Sequence, residues 1–267
     1  NSERKSIHWR TAVSENRKFS VLMSVYIKEN PAFLEEAVES ILHQTLKPSE
    51  VVIVEDGPLT PELYQVLDKL TAQSSIPIKR CPLEQNRGLG LALQYGVLQC
   101  QYDIIARMDT DDIAVEDRFE QQFDLMGKEN LDLLGGHIAE FIDQPDEIVS
   151  YRRVPIKHEE IIAYQRMRSA FNHMTVMFKK EMVLKAGNYE DGLYMEDDLL
   201  WLNMISAGAR TGNVDQILCK VRVGAGMFER RGGLRYLKLY RQARQRMHAR
   251  GQISYGEYLK SVLIQVV

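Results

Sequence analysis

Cysteine is scarce in this 267-residue chain: Cys81, Cys100 and Cys219 stand far apart, and no CxxC pair occurs. That excludes a zinc ribbon and a disulfide scaffold, and it points to a reducing compartment. No apolar run approaches the roughly 20 residues that span a bilayer. The opening, Asn1 to Lys18, is polar and charged, without the apolar core of a signal peptide. A large charge excess is missing as well. The net charge is −3 and the pI about 6.1, which argues against a dedicated nucleic-acid binder. There is no GxxxxGK[ST] loop, and Gly88-Leu89-Gly90 lacks the third glycine of a dinucleotide fingerprint. Repeats and low-complexity tracts are absent.

The chain has an ordinary soluble composition, 45% apolar and 27% charged. Its length allows one large domain or two small ones. Residues 1–18 read as a flexible arm. Phe19 to Val25 reads as a buried strand, and Asn30-Pro31 as the cap and first turn of a helix. Val51 to Val54 forms a second strand and Leu63 to Leu70 a second helix. Ile76 to Lys79 forms a third strand, and Gly88 to Gln99 a helix with Leu91, Tyr95 and Leu98 inward. Asp103 to Arg107 is a fourth strand. This alternation predicts an α/β fold with a mainly parallel sheet flanked by helices. The second half is less regular. Strands are expected within 131–142, at 174–178 and over 213–223, and helices over 179–186, 196–207 and 233–250. The main domain is expected over 19–228, with a helical extension over 229–267. The apolar finish at 262–267 reads as the start of something longer.

Ligands in parallel α/β sheets bind beyond the carboxyl ends of the strands. Two acidic clusters sit there, Glu55-Asp56-Gly57 and Asp109-Thr110-Asp111-Asp112. Three carboxylates within four residues repel one another unless a cation lies between them, and Mg2+ or Mn2+ suits such a set. A solvated turn or helix cap is the simpler alternative for either cluster. Asn86-Arg87-Gly88 is a turn and helix start that can also offer Arg87 and backbone N–H groups to a diphosphate. Glu196-Asp197-Asp198 opens a helix after an apolar, aromatic approach. It suits either capping or a general base for an acceptor hydroxyl.

Together these pieces resemble the GT-A fold glycosyltransferases of family 2. The similarity is to the bacterial, non-processive members that build O-antigens, capsules and exopolysaccharides. It runs from about Phe19 to Gly233. It is carried by 19–26 with the following Lys28-Glu29, Val54 to Gly57, Asn86 to Gly88, Ala106 to Asp112 with its D-x-D motif, and Met195 to Asp197. The resemblance implies a metal-dependent hexosyltransferase, inverting and non-processive, acting on a UDP-sugar donor and a saccharide acceptor on a polyprenyl diphosphate. It implies that Ser24, Tyr26 and Asp56 lie against the nucleobase with Glu55 beside them, and that Glu29, Asn86, Arg87, Gly88, Arg107, Asp109 and Asp111 also bind the nucleotide sugar. Asp111 and Asp112 would hold Mn2+ or Mg2+, with His173 as a further candidate, and Asp197 would be the base supported by Glu196. Glu55 stands where aspartate is more usual, and the QxxRW-type motif of processive synthases is absent.

Residues 228–250 hold eight arginines and lysines against Glu229 alone. With Tyr236, Tyr240, Ala243 and Met247 on one helical face, this segment reads as a docked basic helix. Its sharper reading is contact with anionic lipid at the inner face of the cell membrane. Arg230 and Arg231 are candidates for the acceptor diphosphate or the membrane. Two competing functions remain at this level: a sugar nucleotidyltransferase, for which the expected glycine-rich loop after the first strand is missing, and a silent binding partner in a polysaccharide complex.

Overall fold

The computed structural model describes residues 17–191, 195–224 and 233–266. Most of the expected arm, and Arg230 with Arg231, lie outside the described residues. The first half alternates as its periodicity predicts: β1 (Ser20–Val25), α1 (Pro31–Leu42), β2 (Glu50–Glu55), α2 (Pro61–Gln73), β3 (Ile78–Pro82), α3 (Leu89–Gln99) and β4 (Ile104–Arg107). The first two helices start by one device. The Asn30 side chain accepts from the Ala32 N–H at 2.9 Å ahead of Pro31, and Thr60 accepts from the Leu63 N–H at 3.3 Å ahead of Pro61.

The second half supplies β5 (Ile113–Ala114), α4 (Arg118–Glu129), β6 (Leu133–Phe141), β7 (Ile148–Arg152), α5 (His158–Gln165), β8 (Met177–Lys179), α6 (Lys180–Lys185), α7 (Glu196–Ser206), β9 (Thr211–Arg222), α8 (Gly233–Ala249) and α9 (Tyr255–Val266). The sheet order is β3-β2-β1-β4-β8-β6-β9-β5, with β7 also on β6. Strands β3, β2, β1 and β4 are parallel, as are β6 and β9. Strand β8 joins the halves, antiparallel to both neighbours.

Alternation along the strands feeds two apolar layers. Val21, Met23 and Val25 face α1, α2 and α4, whereas Leu22, Val52 and Val54 face α3, α6 and α7. Parallel register sets Val25 opposite Glu55 and Leu22 opposite Arg107. The chain therefore leaves β1, β2 and β4 at one edge of the sheet, the edge expected to carry ligands.

Two local expectations are corrected. Helix α3 does not turn Leu98 inward. Its buried face is Gly90, Ala92, Leu93, Gly96 and Val97, and Leu98 is 56% exposed. The helix lies so close to the sheet that a Cβ on Gly96 would come within 2.4 Å of Leu22 Cδ1, which selects small residues for the contact. The strand expected at 174–178 begins later, because His173–Thr175 forms a single 3-10 turn.

Candidate active site

Arg107 ends β4 buried at 2% exposure, and its guanidinium pairs with the carboxylate of Asp109. Its Nε and Nη1 have no hydrogen-bond partner among the described residues. A second buried guanidinium, that of Arg118, lies behind it and donates to the Arg107 carbonyl at 2.7 Å and to Gln122 Oε1 at 3.0 Å. Among the described residues Arg118 has no carboxylate partner within ion-pair distance, and burial pulls its pKa down. These two cations underlie the Asp109–Asp112 turn.

In that turn one oxygen from each of Asp109, Asp111 and Asp112 lies within 4.8 Å of the others. Asp112 is buried and accepts from the Arg222 backbone N–H at 3.0 Å. Burial, then repulsion by Asp109 and Glu29, pushes the Asp111 carboxyl up to about 7. Burial, then Asp111 and Asp109, raises Asp112 well above the carboxylate range. Crowded acids that resist ionisation fit a divalent cation, which would relieve both the repulsion and the desolvation.

Glu196 and Asp197 form the first turn of α7. Burial, followed by repulsion from Asp198 and Glu196, raises Asp197 to about 8. Glu196 is also raised, chiefly by burial. Arg107 attracts both residues as it attracts Asp111 and Asp112, and Asp109 repels Glu196. The two acidic clusters, some ninety positions apart in sequence, thus share one electrostatic environment around Arg107.

The third acidic position reaches the same place through the backbone. Asp56, buried at the end of β2, accepts from the N–H groups of Arg87 at 2.7 Å and Gly88 at 3.0 Å. Gly57, at φ +84°, passes so close that a Cβ there would lie 2.6 Å from the Asn86 nitrogen. Two residues past Gly88, a Cβ on Gly90 would lie 2.4 Å from the Glu190 carbonyl oxygen and 3.0 Å from Glu196 Cβ. The Asp56 loop, the start of α3 and the start of α7 are therefore packed in series. On the other side, Glu29 accepts from Thr110 Oγ1 at 2.6 Å, and Thr110 also donates to the Ser24 carbonyl at 3.4 Å. Ser24 and Tyr26 are half-buried at the end of β1.

Three expectations change. The Arg87 and Gly88 N–H groups are engaged by Asp56, so they are not free to meet a diphosphate; the Arg87 side chain is exposed. Glu55 is buried with its carboxylate on Arg80 Nε at 2.5 Å, a cross-strand ion pair that accounts for its charge. Among the described residues the clustered carboxylates are Asp109, Asp111 and Asp112, without His173. Its Nε2 lies 2.9 Å from Tyr189 Oη, its ring packs edge-on against Trp201, and burial, then Arg107, pulls its pKa well below the usual value. Sequence reasoning passed over Arg118, Tyr189 and Arg222. Nothing in their spacing marks them, because each is placed by tertiary packing.

The Glycosyl transferase family 2 model matches residues 20–191. A UDP-Gal:alpha-D-GlcNAc-diphosphoundecaprenol beta-1,3-galactosyltransferase of Escherichia coli is 36% identical over 250 residues, 93% of this chain and 90% of that protein. The amylovoran biosynthesis glycosyltransferase AmsE of Erwinia amylovora is 41% identical over 221 residues, 82% of each chain. The crystal structure of Staphylococcus aureus TarS 1–349 in complex with UDP-GlcNAc superposes with a TM-score of 0.65 at 17% identity, over 85% of this chain and 65% of that one. That likeness shows a shared GT-A fold. A matching family profile over more than half its length, with relatives of this identity and coverage, places the chain in glycosyltransferase family 2.

Proposed function

We propose that this chain transfers a single hexose or N-acetylhexosamine from a UDP-sugar, with inversion, to a saccharide carried on a lipid diphosphate. The carrying observation is the convergence of Asp109, Asp111, Asp112, Glu196 and Asp197 around Arg107. The donor and acceptor classes follow the names of the relatives above.

Asp109, Asp111 and Asp112 would hold a divalent cation, Mn2+ or Mg2+, which when bound neutralises charge on a diphosphate leaving group. Arg107 and the exposed Arg87 add positive charge on the protein's side. Asp56 fastens the Asn86–Gly88 loop, with Ser24, Tyr26 and Glu29 along the neighbouring strand end, as a wall for the nucleoside. Asp197 accepts the proton of the acceptor hydroxyl while that oxygen attacks the anomeric carbon from the face opposite the leaving group. Its raised pKa makes it a stronger base than an ordinary carboxylate. One displacement inverts the anomeric centre, and the transition state has oxocarbenium character.

Support for a membrane-borne acceptor comes from α9 rather than α8. Tyr255, Leu259 and Leu263 recur every four residues and are 60%, 43% and 66% exposed, with Ile264 beside them. On α8, Arg244 is buried and Arg246 and Arg250 are engaged within the protein. No described helix is long and apolar enough to cross a membrane.

The test is UDP release from a panel of UDP-hexoses and UDP-N-acetylhexosamines with Mn2+, with and without a short-chain lipid-diphosphate N-acetylglucosamine acceptor. Acceptor-stimulated release with one donor and inverted product supports the reading. Retained anomeric configuration, or no release with any donor, overturns it.

A further inference from the structure

The basic helix α8 reaches back to the segment that leads into α7. Arg250, at its end, grips Glu190 through two parallel bonds, Nη1 to Oε1 at 2.6 Å and Nη2 to Oε2 at 2.9 Å. One turn earlier, Arg246 donates to the Asp191 carbonyl at 2.8 Å. Gln252, just past the helix, donates to Asn203 Oδ1 on α7 at 2.7 Å. Arg244 holds the Arg166 carbonyl and Ser261 from a buried position. Glu190 is the residue whose carbonyl meets Gly90 at the start of α3, beside the Cβ of Glu196. The backbone at 190 is thus wedged between the donor-side loop and the base-bearing helix, and its side chain is clamped from outside by α8.

We propose that Arg250, with Arg246, is a positioning residue for transfer: α8 sets the 190–191 segment and through it the placement of Asp197 against the donor. This rests on the transferase reading above. The physical argument is a mismatch between strength and geometry. A partly exposed ion pair adds little to folding stability, yet a bidentate arginine fork fixes orientation as a point charge does not. The contact also joins an element beyond the family-matched residues 20–191 to the segment before the base. Misplacement of a reacting group by about 1 Å costs as much as 10²-fold in rate.

The experiment uses the full chain, the UDP-sugar that wild type turns over, Mn2+ and the lipid-diphosphate acceptor. Arg250→Ala is expected to lower kcat by about tenfold or more, with the donor KM and the melting temperature close to wild type. The charge-swapped pair Glu190→Arg with Arg250→Glu is expected to recover most of that kcat, and Arg250→Lys only part of it, because lysine lacks the fork. Wild-type kcat in Arg250→Ala would overturn the proposal. So would a loss of kcat that follows the melting temperature down and is not recovered by the swap. An inactive wild type, or an active Asp197→Asn, would instead count against the transferase reading.

Discussion

Arg107 and Asp109 pair at the end of β4, one buried and the other half-exposed, so the aspartate that opens the acidic turn is anchored to the cation that also attracts Glu196 and Asp197. Arg107 lowers the pKa of Asp197, so its removal must raise it. Arg107→Gln is expected to move the ascending limb of the kcat/KM profile to higher pH than in wild type. An unshifted profile would separate Arg107 from the base.

Asp197 carries the proton-transfer step. Asp197→Asn should cost about 10²–10⁴-fold in kcat while leaving UDP-sugar binding intact by calorimetry. In wild type, kcat/KM should rise with pH through about 8, the value to which burial pushes this carboxyl. Stability should run the other way. The folded state holds the Asp197 proton more tightly than the unfolded chain, so this contribution is complete below the ordinary Asp range near pH 4. It is lost as pH rises through about 8. Melting temperatures measured without divalent cation at pH 5 and pH 8.5 test the sign, and Asp197→Asn should reduce the difference, with Asp111, Asp112 and Glu196 supplying the remainder.

The Asp109–Asp112 turn sacrifices stability for its chemistry. Asp111→Asn removes a crowded acid, so the cation-free variant should melt a few degrees higher than wild type, roughly 2–4 °C for 1 kcal/mol in a chain of this size. The same variant should lose most of the Mn2+-induced stabilisation that wild type shows. Thermal shifts with and without Mn2+ give both readings.

Close backbone approach holds the three acidic regions together. Gly90→Ala drives a methyl group into the Glu190 carbonyl and Glu196, and overpacking of this kind costs about 1–3 kcal/mol. Denaturant unfolding should register that loss. Because the displaced residues border the base, kcat should fall by more than in Gly256→Ala, where a Cβ would meet only Ser254 Oγ at 4.0 Å.

Much of the parallel half was legible because local chemistry and tertiary packing agree there: caps at Asn30 and Thr60, apolar faces on α1 and α2, and short apolar runs for β1 and β2. The acidic clusters were legible because like charges at strand ends have few structural uses. What escaped was set by packing between distant segments. The inward face of α3 mixes Gly90, Ala92 and Gly96 with Leu93 and Val97, so exposed Leu98 misdirects. The basic tail read as a docked helix with a face for anionic lipid, yet Arg244, Arg246 and Arg250 find partners within the protein more than fifty residues away. The Asp56 carboxylate proved to be a fastener for the Arg87–Gly88 backbone, a role no spacing announces.

Peripheral membrane contact is tested on α9. Leu259→Glu with Leu263→Glu should reduce flotation with vesicles containing anionic lipid, while UDP release with the soluble short-chain acceptor stays near wild type. Undiminished flotation would remove α9 from the contact.

The most direct test of the central claim is calorimetric titration of UDP into the wild type and into Asp111→Asn, each with and without Mn2+. A cation held between the Asp109–Asp112 turn and a diphosphate predicts tight binding only in wild type with Mn2+, weakened at least tenfold when either the ion or the carboxylate is removed. Equal UDP affinity in all four titrations would contradict the account.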